Sequence, residues 1–207
     1  MATYEESIFG AISGRHGTAV ASKTADGKKI IRMYKVPSNP NTPAQVAQRD
    51  KFGFVNAELS PLREIFKVSF RNKKGMNLAV SYALKNAITR SGMDLSIDYS
   101  KLSFAWGSIQ FPDSISVSVE TGNAVKIDWD STLRVVDEIP DELNLVFMNS
   151  VSKFTILRES VALRDAGTIT FELPEIWTDK EVHCWAYFST PENNLTSVSK
   201  YLGLLQL

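Results

Sequence analysis

Histidine and cysteine are scarce in this chain: His16, His183 and Cys184 are all there are among 207 residues. A tetrahedral zinc site needs three or four such ligands, so structural zinc is nearly excluded. Asp137, Glu138, Asp141 and Glu142 form a carboxylate-rich run that could hold a hard cation through oxygen. Pro140 interrupts that run, and a solvated acidic loop is the reading preferred. His183 could serve a Ser/His/Asp arrangement, but no G-x-S-x-G turn is present to expose a serine nucleophile. No P-loop, zincin or kinase motif occurs either, and paired carboxylates are findable in any chain with 23 acidic residues. The expectation is a non-enzymatic protein with no catalytic residue, cofactor or metal.

Residues that could bind, rather than catalyse, fall in two places. Arg15, Lys23, Lys28, Lys29, Arg32 and Lys35 crowd the N-terminal segment, and Arg71, Lys73 and Lys74 follow further on. A basic ribbon of this kind can sit on phosphates, although no helix-turn-helix, zinc-finger or ribonucleoprotein signature accompanies it. Near the other end, Val182, Cys184, Ala186 and Phe188 alternate with His183, Trp185 and Tyr187, so a strand here presents two different faces. One face is core. The other, with Trp185 and Tyr187, is either an aromatic contact surface or an inter-sheet layer. Cys184 on the apolar side is an inert small hydrophobe.

The elements that must position these residues begin with Gly10, Gly14 and Gly17, which suggest close packing or a flexible arm. Their G-x-x-x-G-x-x-G spacing is not that of a dinucleotide loop. Two β-branched runs, at 18–22 and 29–34, flank Asp26-Gly27 and predict a β-hairpin. Val36 to Asn41 is a proline-rich connector. Thr42-Pro43-Ala44-Gln45 has the pattern of a capped helix start, and Phe52, Val55, Leu59, Leu62 and Phe66 mark one buried face. Pro61 kinks this helix or restarts it with Ser60 as a new cap. A second helix is expected over 77–90, stopped by Ser91-Gly92, and then strands carrying Leu95, Ile97, Tyr99 and Leu102, Phe104, Trp106.

Beyond Pro112 the pattern is β throughout. Ile115/Val117/Val119, Val125/Ile127/Trp129, Leu143/Leu145/Phe147, Thr168–Leu173 and Val182–Phe188 alternate, with turn signals at Thr121-Gly122-Asn123 and Pro191-Glu192-Asn193-Asn194. About seven short strands in so few residues suggest a small sandwich. The fold class expected is therefore α+β, with an N-terminal hairpin arm and helical middle over 1–111 and an immunoglobulin-like sandwich over 112–207.

Formal net charge is zero, but residues 1–111 hold 16 Lys/Arg against 8 Asp/Glu and residues 112–207 hold 7 against 15. The two halves should attract opposite partners, copies of each other included. The N-terminus is acidic with no apolar h-region, and no run approaches the roughly 20 apolar residues of a membrane helix. With a single cysteine, a reducing aqueous compartment is expected, either the cytoplasm or a virion if the gene is phage-borne.

Several motifs together resemble a known family. They are Gly10-x-x-x-Gly14-x-x-Gly17, Gly27-Lys28, Ile31-Arg32, Thr42-Pro43-Ala44-Gln45-x-x-x-Arg49-x-x-Phe52, Asn77 to Ile88, Ile97 to Lys101, Leu173-Pro174, Val182-His183-x-x-Ala186-Tyr187-Phe188 and Ser199 to Gly203. They resemble an uncharacterised family of about this length from Bacteroidota, a domain of unknown function, and the resemblance implies a shared fold without assigning any catalytic residue. The T-P-x-Q-x-x-x-R-x-x-F element is also similar to a segment of phage-encoded proteins, an analogy that points to assembly. Val125–Trp129 looks like the tryptophan-bearing second strand of fibronectin type III domains, and Val182–Phe188 like the sixth. Such domains are usually binding or spacer modules. The function expected is structural or assembly-related, with the chain itself or other structural proteins as partner. Interaction is expected through Gly10, Gly14, Gly17, Lys28, Lys29, Arg32, Trp185 and Tyr187. The alternative is a module binding nucleic acid or carbohydrate.

Overall fold

Asp26-Gly27 turns the chain as its sequence predicts, with Gly27 at φ 83° and the Thr24 carbonyl accepting from the Gly27 N–H at 3.0 Å. The computed structural model describes residues 2–3, 12–36, 38–71, 74–91, 94–132, 140–190 and 195–207. Gly10, Lys73, Gly92, Asp137, Glu138 and the turn at 191–194 lie outside them. Two compact units emerge, residues 1–43 and 44–207, where the sequence reading drew its line at 111/112.

The first unit is a four-stranded antiparallel sheet. β1 (Ala2–Thr3), β2 (Gly14–His16), β3 (Ala19–Lys23) and β4 (Lys29–Met33) lie in the order β1-β4-β3-β2. Among described residues 12–43 only Ala21 is buried.

In the second unit, α1 (Pro43–Leu59) gives way at Pro61 to a 3-10 turn, Ser60–Leu62, which leads into α2 (Arg63–Ser69). Pro61 lacks the N–H that a continuing helix needs, so the chain restarts here. Ser60 does not cap the restart, since Leu59 holds the cap position without a side-chain bond. α3 (Gly75–Asn86) turns back on α2 so closely that a Cβ on Gly75 would lie 2.1 Å from the Phe66 carbonyl oxygen.

Two expectations fail in this region. Residues 88–90, read as helix, form β5 (Ile88–Ser91), paired with β6 (Asp94–Ile97) as a hairpin. β-Branched Ile88 and Thr89 favour the strand once a partner is available. Leu102, Phe104 and Trp106 do not form a strand. Leu102 and Phe104 enter the core, Trp106 is exposed, and the extended chain is held by the Ser199 hydroxyl accepting from the Phe104 N–H at 2.9 Å. At Gly107 it crosses so tightly that a Cβ would lie 1.9 Å from the Thr196 carbonyl oxygen.

The remaining strands make two antiparallel sheets. β7 (Ile115–Val119), β8 (Ala124–Trp129) and β11 (Thr168–Glu172) form one, in the order β11-β8-β7. β9 (Glu142–Asn149), β10 (Thr155–Leu163), β12 (Glu181–Thr190), β13 (Leu195–Thr196) and β14 (Lys200–Gln206) form the other, in the order β10-β9-β12-β13 with β14 also on β12.

Two apolar clusters hold these layers together. Val125, Ile127 and Trp129 of β8 meet Leu143, Leu145 and Phe147 of β9 and Val182, Cys184, Ala186 and Phe188 of β12. On the opposite face of β9 and β12, Val146, Met148, Trp185 and Tyr187 meet Val55, Leu59, Leu62 and Phe66 from the first helical stretch and Ala79, Val80 and Ala83 from α3. The larger sheet is thus covered on both sides, which explains the near-continuous apolar runs of its two central strands. Phe52, expected on the buried helical stripe, is 52% exposed, while the cover of this helix begins with half-buried Phe54 and buried Val55.

Candidate functional site

The basic candidates gather on the small sheet. β2, β3 and β4 align Arg15 with Val20 and Val20 with Arg32, so these three side chains share one face. The Arg15 guanidinium lies 3.9 Å from the Tyr34 ring centroid, and its Nε donates to the Gly17 carbonyl at 3.1 Å. Lys28 is in the turn and Lys29 opens β4 opposite Lys23. Gly14 starts β2, while Gly17 at φ 59° sits in the two-residue turn into β3, a left-handed position that favours glycine. Six Lys/Arg and one Asp occupy residues 12–36, on an element with almost no buried surface. Arg71, grouped with these by sequence, is engaged elsewhere: its Nη1 and Nη2 donate to the Thr190 carbonyl at 3.1 Å and the Ser189 hydroxyl at 2.9 Å.

Trp185 and Tyr187 correct an expectation. They form neither an aromatic contact surface nor an inter-sheet layer, but are fully buried between β12 and the helices. Phe104 lies 4.8 Å from Trp185, ring centre to ring centre, and Tyr201 lies 5.3 Å away. The Trp185 indole N–H is buried without a hydrogen-bond acceptor among the described residues. No ligand can stack on this face while the helices cover it. Cys184, on the other face, is completely enclosed, and burial pushes its thiol up, away from the reactive thiolate.

His183 stands at the edge of that aromatic layer. Its Nδ1 is 2.9 Å from the Tyr201 hydroxyl, and its ring lies 5.4 Å from Tyr99. The Tyr99 hydroxyl donates to Glu58 Oε2 at 2.9 Å, and Lys153 Nζ sits 4.0 Å above the Tyr99 ring. Burial lowers the pKa of His183, with the Lys153 charge as a further cause; burial also lowers Lys153, against the pull of Glu58. Burial and the Glu58 carboxylate together push the Tyr99 phenol up. These groups favour neutral histidine, and they interact with one another rather than converging on an open cleft.

Asp141, read as part of a solvated acidic loop, is buried and paired with Arg164. No residue spacing flagged that pair, because 23 positions separate its members. Among the described residues no three His, Cys, Asp or Glu side chains converge as metal ligands would, and no helix is long and apolar enough to cross a membrane.

No curated protein matches this chain. A family profile does, over residues 11–203, and its span takes in Gly14 and Gly17, both central strands and most of β14. On that match the chain belongs to a family described as a family of unknown function, DUF6266.

Proposed function

We propose that this chain is a non-enzymatic structural or assembly protein, with a fibronectin type III-like module as its body and residues 1–43 as an arm that joins copies. The observation that carries the reading is the arm itself. A sheet of short strands needs a buried apolar face or a packed helix for stability of its own. Here Ala21 is the one buried side chain in described residues 12–43, while Met33, Tyr34 and Val36 are exposed. Such an element gains stability from a surface on another molecule.

The module reading has its own support. Setting aside two-residue β13, the seven strands from β7 onward fall into a set of three and a set of four, with Trp129 on the second and Trp185 on the sixth. The test of assembly is light scattering on the full chain at tens of micromolar, beside a chain starting at Asn41. An oligomer that dissociates when the arm is removed supports the reading; a monomeric full chain, or a truncation that keeps the same oligomer, overturns it.

One observation favours a second reading. Arg15 and Arg32 share a sheet face, and a basic face attracts phosphate backbones. Nucleic-acid binding through this face would be weak, indifferent to sequence and steeply salt-dependent. Binding that survives physiological salt, or that selects a sequence, contradicts that form of it.

A further inference from the structure

One end of the larger sheet carries an apolar surface that the protein leaves open. Val151 and Phe154, in the turn from β9 to β10, are 83% and 61% exposed, and Ile176 opposite them is 81% exposed. Between them lies a groove of about 530 Å³ that also reaches Trp177 and Lys180. Trp177 is buried and meets the edge of Phe154 with ring centres 6.2 Å apart, so the groove has a rigid floor. Three large apolar side chains converging in water mark an interaction surface more often than chance exposure.

Lys180 is the one charged residue among the described residues lining the groove, and the charge of the chain segment around it narrows the partner. Exposed Glu172, Glu175, Asp179 and Glu181 lie on the segment that supplies Ile176 and Trp177, against Lys180 alone. Lys153, between Ser152 and Phe154 in the turn from β9 to β10, is turned to other partners, its ammonium donating to the Ser150 carbonyl at 2.7 Å and resting on the Tyr99 ring. The groove therefore suits a segment that is apolar at its centre and cationic at its sides. This chain contains one: Met33 and Val36 are 81% and 72% exposed, and Arg32 and Lys35 flank them.

We infer that the groove of Val151, Phe154, Ile176 and Trp177 receives residues 32–36 of a second copy. The inference rests on the assembly reading above and adds the docking site to it. Met33 and Val36 fill the apolar floor while Arg32 and Lys35 meet the carboxylates of 172–181. Donor and acceptor patches differ, so the contact is heterologous, and each copy carries one of each. Opposite charge fixes the register and speeds encounter.

The test uses full-length chains and light scattering over a concentration series. Met33→Asp removes the apolar donor and Ile176→Asp the acceptor; both sites are so exposed that the fold should survive, which circular dichroism and thermal melting check. Each variant alone should associate at least tenfold more weakly than the parent. An equimolar mixture should regain association, because each variant keeps the patch the other has lost. Glu175→Lys with Asp179→Lys should weaken association, and Arg32→Glu with Lys35→Glu on the partner should restore it. If Met33→Asp dissociates the oligomer and Ile176→Asp does not, the arm reading stands and the groove is not its dock. A monomeric parent overturns both. A mixture that fails to associate overturns the arm-to-groove pairing.

Discussion

Arg164 Nε donates to both carboxylate oxygens of Asp141, at 2.8 and 2.9 Å, with each side chain only 4% exposed. Nη2 of the same guanidinium donates to the Gln110 carbonyl at 2.8 Å, and its carbon lies 4.2 Å over the Phe188 ring. One arginine thus ties the chain entering β7 to the start of β9 and to the central strand β12. Removing one member leaves a desolvated charge, so Asp141→Ala should cost about 3–5 kcal/mol. Replacing both, as Asp141→Leu with Arg164→Met, should restore much of that loss. Urea denaturation of the singles and the double checks it; a single variant as stable as the parent would mean the pair is hydrated in solution.

Trp129 adds a second tie to the same residue, its indole N–H donating to the Arg164 carbonyl at 2.7 Å. Truncation to Ala should cost about 3–5 kcal/mol, as for other large aromatics in a core. Trp129→Phe keeps most of the packing and removes one of two donors to that carbonyl, which still accepts from the Gly167 N–H at 3.3 Å, so its cost should be smaller, about 0.5–1.5 kcal/mol. Equal denaturation midpoints for the two variants would show that the hydrogen bond, and not the packing, carries Trp129's contribution.

Gly107 is required by space. A methyl group there would meet the Thr196 backbone, which cannot rotate away as a side chain can. Gly107→Ala should destabilise by about 1–3 kcal/mol, the range for overpacking. It should also loosen the Ile109 N–H bond to the Thr196 carbonyl, at 3.1 Å in the parent. Faster hydrogen exchange at Ile109 is the matching observation, and unchanged exchange would count against this crossing.

His183 makes stability depend on pH. Burial first, and the Lys153 charge second, hold its folded pKa below the ordinary 6.5, while Glu181 and Asp98 pull the other way. Of its other neighbours, Tyr201 and Tyr99 remain neutral in this range, their phenols raised by burial. The unfolded chain therefore takes up a proton near pH 6.5 that the folded protein does not. His183 contributes stability that is present above pH 6.5 and is lost as pH falls through the lower, folded value. His183→Gln should flatten the fall in stability between neutral and mildly acidic pH. Lys153→Met should raise the His183 pKa in an NMR titration; no change would show that Lys153 points elsewhere in solution.

What the sequence disclosed divides along physical lines. Local rules worked where the chain obeys them locally: Asp26-Gly27 turns, Pro43 opens a helix, and Val125, Ile127 and Trp129 alternate into a core. Periodicity gave the buried face of the first helix but not its extent, and Phe52 falls beyond the surface that covers Val55. β9 was read as alternating because Leu143, Leu145 and Phe147 alternate, yet Val146 and Met148 are equally buried. An apolar run of that length does not say how many faces are covered. The same blindness affected Trp185 and Tyr187, whose covering helices lie a hundred residues upstream. Asp141 looked solvated because its partner is remote in sequence. Motifs across the chain pointed to an uncharacterised family, and the profile match agrees on that much.

The shared core also has a consequence for how the protein is made. Phe66 is translated well before Trp185, the residue that closes over the same cluster. At a synthesis rate of about 5–20 residues per second, the helices wait roughly 6–24 s on the ribosome for the part of their cover that β12 supplies. During that interval Leu59, Leu62 and Phe66 are available to chaperones, and an elongation pause before β12 lengthens their exposure.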